Sequence, residues 1–291
     1  MVLAEMLTIN KAPHPQNYRA KAVDVMERAK ESRPQFGIEQ EYVIFSRQFA
    51  LHEGVERKVR YSEKERIPYK WLGHNNPGSD PDDKIFYEVG GSKIFGRDFA
   101  EEHFQLCLKA GLQVAGINSE SLPAQWEYQV GVCDGVDIAD QLIVSRYILL
   151  RLSEKFEVHI CLKSKPYKGY ATTSGLHTNF STEKMREGTE GKKGIEYVKE
   201  ACVALCEPEN HKKHIPEYGD NSERLIGHTE TSHMPDLEKS TWGICQKDVS
   251  IRIPEFTLVE GKGYLEDRRP TSEADPYRII TRLVQTVVLK E

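Results

Sequence analysis

A short apolar segment that carries two acids, FGIEQEYVIF at residues 36–45, constrains most strongly how this chain folds. Aromatic and β-branched residues dominate it, which is typical of a β-strand. Strand side chains alternate between two faces, so Glu39 and Glu41 point to one face and Gln40 to the other. Two like charges about 4 Å apart repel by roughly 4 kcal/mol at an effective dielectric constant near 20. The sequence therefore predicts a cationic group, or open water, beside this strand.

The overall composition excludes several classes of protein. The 291 residues include 40 Lys and Arg and 45 Asp and Glu, a net charge of -5 that argues against nucleic acid as a partner. The sequence contains no signal peptide and no apolar run long enough to span a membrane, so we expect no membrane partner. The six cysteines form no C-x-x-C pair, which favours reduced, mostly buried thiols and a cytoplasmic location.

Helical and strand patterns follow one another without a regular βαβ rhythm. Helical spacing occurs at residues 14–34, 96–113, 137–157, 182–215 and 275–290. Strand patterns occur at residues 36–45, 114–131, 158–166, 175–181, 249–259 and 261–267. Asp98 is the expected N-cap of the second helix, and Asp275 that of the last. These patterns predict an α+β fold with a mostly antiparallel sheet.

Further acids and one histidine lie in strand-like segments of the same apolar character. They are Glu120, Glu127, His177 and Glu266. With Glu39 and Glu41 they make five carboxylates and one imidazole, a donor set that suits Mg²⁺ or Mn²⁺ better than structural zinc. Six ligands suffice for two sites of three ligands each, the layout of two-metal phosphoryl chemistry. The alternative is that each acid is a solvated strand residue and His177 a hydrogen-bonded core histidine.

Arginines occur close to these acids in the sequence. They are Arg224, Arg252, Arg268 and Arg269. A guanidinium beside carboxylates can bind a phosphate or carboxylate substrate through paired hydrogen bonds. The alternative for the Arg268–Arg269 pair is a structural ion pair with Glu266 or Asp267.

Seven segments resemble the glutamine synthetase family, closest to its eukaryotic-type class. In chain order they are FGIEQEY, GRDFAEEHFQLCLKAG, INSESLPAQWEYQVG, SGLHTNFS, RLIGHTETS, SIRIP and GKGYLEDRRP. The resemblance implies one catalytic domain over residues 1–291, with a curved sheet flanked by helices that forms the active-site funnel. Residues 46–70 look like an insertion, and the resemblance implies that the family's N-terminal β-grasp domain is not among these 291 residues. Family members form stacked rings, so a homo-oligomer is implied.

The resemblance also implies roles for individual residues. One metal ion would be held by Glu41, Glu120 and Glu127, and the second by Glu39, His177 and Glu266. Arg252 and Arg268 would clamp the transferring phosphate, and Arg224 would bind the glutamate carboxylate. Glu230 would close over the site and help to deprotonate ammonium. Asn179 and Ser181 lie where the family contacts the nucleotide.

Three positions depart from the family pattern on the substrate side. Thr172 and Thr173 replace an Asn-Gly pair that contacts the amino-acid end of glutamate, and β-branched Thr cannot take the place of Gly without rearrangement. Lys247 replaces an arginine, so the charge is kept but the bidentate fork is lost. Asp248 follows it and is expected to neutralise Lys247.

The reaction that the resemblance implies is the ATP-dependent ligation of ammonia to L-glutamate through γ-glutamyl phosphate. Metal ions and arginines would supply positioning and charge neutralisation. Two alternatives stay open. The chain could be a catalytically silent homologue with a structural or regulatory role, or a related carboxylate–amine ligase with another substrate.

Overall fold

The computed structural model describes residues 2–46, 94–166, 173–220 and 239–291. The insertion expected at 46–70 lies outside the described residues from position 47 onward. Within the described ranges, no helix is both long enough and apolar enough to cross a lipid bilayer.

Eight α-helices and eight strands make up the described part of the chain. The helices are α1 (Tyr18–Arg28), α2 (Arg97–Lys109), α3 (Asp137–Phe156), α4 (Glu183–Glu187), α5 (Gly194–Cys206), α6 (Pro208–His214), α7 (Glu255–Glu260) and α8 (Pro276–Val284). The strands are β1 (Gln35–Ser46), β2 (Val114–Ser119), β3 (Gln125–Asp134), β4 (Val158–Cys161), β5 (Leu176–Ser181), β6 (Trp242–Ile244), β7 (Ile251–Ile253) and β8 (Leu265–Asp267).

All eight described strands belong to one sheet, in which β1 has a central place. The order is β2-β3-β1-β5-β8-β7-β6, and β4 also pairs with β1. Only β6 and β7 run parallel among these pairs. The α+β class and the mostly antiparallel sheet predicted from the sequence are therefore confirmed. The register places Glu39 opposite His177 on β5 and Glu41 opposite Glu127 on β3.

One face of the sheet is covered by helices and holds the main core. Helix α3 packs against β1, β3 and β4, and α8 packs against α1 and α3. From β1, Ile38 and Tyr42 enter this core and are each 1% exposed. Burial of an aliphatic side chain such as that of Ile38 contributes about 1.5–3 kcal/mol. The side chains at positions 38, 40 and 42 thus anchor the strand from one face, and the acids at 39 and 41 are left for the other.

Two local expectations are wrong. Helix α2 is capped by Gly96 in a left-handed conformation with φ 87°, and Asp98 lies in the first turn, where its charge favours the positive end of the helix. The strand expected over 249–259 ends at Ile253, and α7 follows. Pro254 explains the change, because proline has no N–H to continue the pairing of the strand. The predicted N-cap of α8 is confirmed, since the Asp275 side chain accepts hydrogen bonds from the backbone of Tyr277 and Arg278.

Candidate active site

Three carboxylates surround the imidazole of His177. Its Nδ1 lies 3.4 Å from Glu39 Oε2 and 3.4 Å from Glu266 Oε1, and its Nε2 lies 3.9 Å from Glu41 Oε1. The strand pairing explains the cluster, because Glu39 lies opposite His177 in the β1–β5 ladder and Asn179 lies opposite Glu266 in the β5–β8 ladder. Three acids that are distant in sequence are thus brought to one histidine.

Glu127 and Glu120 extend the cluster on the β3 side. Glu127, Glu39 and His177 each offer a ligand atom, and these three atoms lie within 4.8 Å of one another. Glu120 is tied to the same group by hydrogen bonds. Asn118 Nδ2 donates to Glu120 Oε1 at 3.2 Å, and Gln129 Nε2 donates both to Asn118 Oδ1 and to Glu127 Oε1.

Four of the predicted ligands, Glu39, Glu41, Glu127 and Glu266, thus lie around His177, and Glu120 is connected to Glu127 through Asn118 and Gln129. The three ligand atoms that lie within 4.8 Å of one another come from both predicted sets, since Glu127 belongs to one set and Glu39 and His177 to the other. The division into two sites of three ligands stays a prediction.

The pKa values of two acids are shifted in opposite directions. Burial disfavours the charged form of Glu39, but the hydrogen bond and charge of His177, assisted by Asn179, outweigh it and lower the pKa. Burial raises the pKa of Glu127 to about 8, and the neighbouring carboxylates, Glu39 first among them, act in the same direction. Burial and the neighbouring carboxylates thus both disfavour the charged form of Glu127, and a bound cation would favour that form.

A buried polar network holds the opposite face of β1. Gln40 is 0% exposed, and its Nε2 donates to the backbone oxygens of Glu41 and Ser272 at 2.8 and 3.0 Å. Arg146 Nε on α3 donates to Gln40 Oε1 at 2.6 Å, and Arg146 Nη2 donates to the Ser272 carbonyl at 2.9 Å. This network fixes the residue between the two acids, so the direction of both acids is fixed as well. Sequence patterns did not predict this network, and its one signal is the polar Gln40 at a core position.

Gln125 and Gly175 position Glu41 and were also missed. Gln125 Nε2 donates to Glu41 Oε2 at 2.7 Å, and the Gly175 backbone N–H donates to the same oxygen at 3.1 Å. A Cβ at Gly175 would lie 2.9 Å from His177 Nε2, closer than such contacts allow. Glycine is required here because its backbone approaches the imidazole directly.

The two arginines assigned to phosphate are both held by Glu266. Arg252 Nε donates to Glu266 Oε2, and Arg268 Nη1 donates to Glu266 Oε1 at 2.9 Å. The buried Arg268 Nε has no hydrogen-bond partner within the described residues. This orphaned donor next to the acid cluster is suited to an anionic substrate oxygen.

Arg269 forms a structural ion pair, which is the alternative that the sequence left open for the Arg268–Arg269 pair. It is 0% exposed, and its Nη2 and Nε donate to the carboxylate of Asp267 at 2.6 and 2.8 Å. Side chains alternate between two faces along strand β8 and the residues that follow it. Glu266 and Arg268 therefore lie on the site face, and Asp267 and Arg269 lie on the core face.

Asn179 and Ser181 line a cavity of about 320 Å³ beside the acid cluster. Asn179 Nδ2 donates to Glu39 Oε1 at 2.9 Å, and Arg186 Nη1 donates to Ser181 Oγ at 2.9 Å. Arg186 and Tyr264 also line this cavity and were not predicted. The volume falls within the range of small-molecule sites, and its position next to Glu39 links it to the cluster.

The remaining predicted residues are not brought into the cluster. Thr172, Arg224 and Glu230 lie outside the described residues. Thr173 is near it, since its carbonyl accepts a hydrogen bond of 3.4 Å from Gln125. Lys247 lies in the exposed connection between β6 and β7, and within the described part of the chain it forms no ion pair with Asp248. The neutralisation expected for this pair is therefore not seen.

Comparison with known proteins assigns the chain to a family over its whole length. The family profile described as "Glutamine synthetase, catalytic domain" matches residues 13–192. The glutamine synthetase of Panulirus argus is 40% identical over 296 aligned residues, which cover 100% of this chain and 74% of that protein. The chain belongs to the glutamine synthetase family. The glutamine synthetases of Fusarium solani subsp. phaseoli and Bos taurus are 40% and 36% identical, over 98% and 100% of this chain and 72% of each of those proteins.

Proposed function

We propose that this member of the glutamine synthetase family ligates ammonia to L-glutamate at the expense of ATP, giving glutamine, ADP and phosphate. The observation that carries the proposal is the convergence of Glu39, Glu41, Glu127 and Glu266 on His177, in a chain that matches glutamine synthetases over its whole length. Clustered, mutually repelling acids are costly to a fold that does not use them. The reading as a silent homologue is disfavoured for that reason.

The donor set fits hard divalent cations such as Mg²⁺ or Mn²⁺. It offers five carboxylates and one imidazole, and the pKa of Glu127 is raised to about 8 by burial and by neighbouring negative charge. We assign Glu41, Glu120 and Glu127 to one ion and Glu39, His177 and Glu266 to the other. When bound, the ions neutralise the phosphate oxygens and order the two substrates.

In the first step, an oxygen of the glutamate γ-carboxylate attacks the γ-phosphorus of ATP, and the bond to the bridging oxygen breaks to release ADP. We assign Arg252 and Arg268 to the transferring phosphate, supported by the unpartnered Nε of Arg268 beside Glu266. Their positive charge compensates the equatorial oxygens as the phosphoryl group moves. We also assign Lys247 to these phosphates, as a single charge without the paired donors of arginine.

In the second step, the ammonia nitrogen attacks the acyl carbon of γ-glutamyl phosphate, the C–O bond to phosphate breaks, and the nitrogen loses a proton. We assign Glu230 to that proton and to exclusion of water, and Arg224 to the glutamate carboxylate. The nucleotide would occupy the cavity beside Glu39, with Asn179 and Ser181 on its wall. Positioning supplies most of the rate acceleration, because an acyl phosphate that is held away from water already reacts readily with ammonia.

A ligase for another acid or amine is the second candidate, because Thr172 and Thr173 stand at positions that contact the amino-acid end of glutamate in the family. The backbone carbonyl of Thr173 lies within hydrogen-bond reach of Gln125, which also holds Glu41. A changed side chain there would alter the substrate without touching the acid cluster.

One assay separates these readings. The chain, and any version extended upstream that its gene encodes, is supplied with ATP, Mg²⁺, glutamate and hydroxylamine, and γ-glutamyl hydroxamate is measured. Product is expected, and it should disappear in Glu266→Gln but persist in the exposed control Glu190→Gln. ADP release only with another acid or amine would support the second candidate. Binding of Mg²⁺ and ATP without any turnover would contradict both.

A homo-oligomer and a cytoplasmic location stay predictions from the family resemblance. We propose that the described elements form the catalytic domain and that residues 46–70 are an insertion in it. Light scattering after size-exclusion chromatography gives the mass of the assembly directly, and a monomer at micromolar concentration would contradict the oligomer.

A further inference from the structure

A second pocket lies between the start of α1 and one face of α8, separate from the acid cluster. It has a volume of about 170 Å³. It is lined by Pro15, Asn17, Tyr18, Lys21, Glu217, Arg278, Thr281, Arg282 and Gln285. The residues from α8 recur at intervals of three and four, so they share one face of that helix. This set contains three cationic side chains and one carboxylate.

The cations are held in place without using all of their hydrogen-bond donors. Arg278 Nε donates to Glu217 at 2.6 Å, its Nη2 donates to the Pro216 carbonyl at 2.8 Å, and its guanidinium lies 5.0 Å from the centre of the Tyr18 ring. Arg282 uses Nε and Nη2 on Thr286 Oγ1, at 3.2 and 3.1 Å, and its Nη2 also donates to the backbone carbonyl of Glu291. Within the described residues, the Nη1 atoms of both arginines make no hydrogen bond.

The helix that forms the opposite wall adds to the positive potential. Asn17 caps α1, and the first turn of this helix, which includes Tyr18 and Lys21, contains no acid. The N-terminal end of a helix carries roughly half a positive charge. Burial lowers the pKa of Arg282, because it removes water from the charged guanidinium. The attraction of nearby acidic groups offsets only part of this loss.

An unpartnered hydroxyl points independently to a ligand. Thr281 lines the pocket and is only 4% exposed, yet its Oγ1 has no hydrogen-bond partner in the described part of the chain. Buried polar atoms are nearly always paired, and those that are not commonly contact a bound ion or water. The hydroxyl lies between Arg278 and Arg282 in sequence, on the helix face that carries both.

We propose that this pocket binds a small doubly charged oxyanion of the phosphate type, through Arg278, Arg282, Lys21 and the Thr281 hydroxyl. Two guanidiniums that present free N–H groups suit the oxygens of phosphate, which accept paired hydrogen bonds. The volume is below that of most sites for larger ligands and favours a free phosphate or the phosphate end of an ester. The inference does not rest on the proposed ligase function.

The test is calorimetric titration of inorganic phosphate into the chain in EDTA, at constant ionic strength set with chloride. Saturable binding of one phosphate is expected, and Arg282→Gln should weaken it by roughly tenfold or more, since a charge-assisted hydrogen bond is lost. Thr281→Val should weaken it severalfold and leave the phosphate-free protein at least as stable, because the hydroxyl has no partner to lose. Arg151→Gln, at an exposed arginine outside both sites, is the matched control and should keep full binding.

Several results would overturn the proposal. Loss of binding in Arg268→Gln with retention in Arg282→Gln would place the phosphate at the acid cluster. An absence of saturable binding, or a Thr281→Val variant that loses stability and binds phosphate as before, would give the pocket a purely structural role. Tighter binding of succinate than of phosphate would reject the ligand class. Parallel titration of a phosphate monoester distinguishes a free from an esterified source, and either one supports the site.

Discussion

Replacement of Glu127 by glutamine is expected to stabilise the metal-free protein. The folded-state pKa of Glu127 is about 8 against a reference of 4.5, and burial and the neighbouring carboxylates are the cause. The raised pKa means that stability is fully present below pH 4.5 and is lost as the pH rises toward 8. At about 1.4 kcal/mol per pKa unit, the wild-type cost is about 3 kcal/mol at pH 7 and about 5 kcal/mol above pH 8.

The assay is urea unfolding in EDTA at several pH values, with wild type, Glu127→Gln and the exposed control Glu190→Gln. Glu127→Gln should be more stable than wild type by about 2–3 kcal/mol at pH 7, with the gap closing toward pH 5. Addition of Mn²⁺ should make wild type the more stable of the two proteins. The ion stabilises the protein that it binds more tightly, and Glu127→Gln lacks one of its ligands. A Glu127→Gln variant that is less stable than wild type in EDTA at pH 7 would refute the reasoning.

Three further changes test how the site is supported. Arg146→Met leaves buried acceptors of the β1 network without a donor, so we expect a loss of about 2–4 kcal/mol in urea unfolding; an unchanged midpoint would show that the network is not needed. Gly175→Ala forces His177 to move, so Mn²⁺ affinity measured by calorimetry should fall by roughly tenfold with little loss of stability, and unchanged affinity would exclude the close approach. Arg269→Met leaves the buried Asp267 carboxylate without its cationic partner, with the Tyr218 hydroxyl still donating to it, and should cost about 3–5 kcal/mol, whereas a change below about 1 kcal/mol would contradict a structural ion pair.

Local rules predicted the parts of the fold that local physics decides. Alternation in FGIEQEYVIF separated Glu39 and Glu41 from Gln40, and the structure has that separation. The helix start at Asp275 followed from the cap and the proline after it. The error over 255–260 arose because an apolar run fits a short helix as well as a strand, and Pro254 decided between them.

The missed parts of the site depend on contacts between distant residues. Gln40 meets Ser272 across 232 positions and Arg146 across 106, and no periodic pattern encodes either partner. The alternation of β8 places Arg268 and Arg269 on opposite faces, which is enough to tell their roles apart. Which face belongs to the site follows only from the pairing of β8 with its neighbouring strands. Family resemblance supplied the convergence of the acids, which composition and spacing could only suggest.

The most direct test of the central claim is a diffraction experiment on crystals soaked in Mn²⁺, with an anomalous difference map. The account predicts two peaks in the acid cluster, one coordinated by Glu39, His177 and Glu266 and the other by Glu41, Glu120 and Glu127. A map in which Mn²⁺ is bound elsewhere on the protein, with no peak at these six residues, would contradict it.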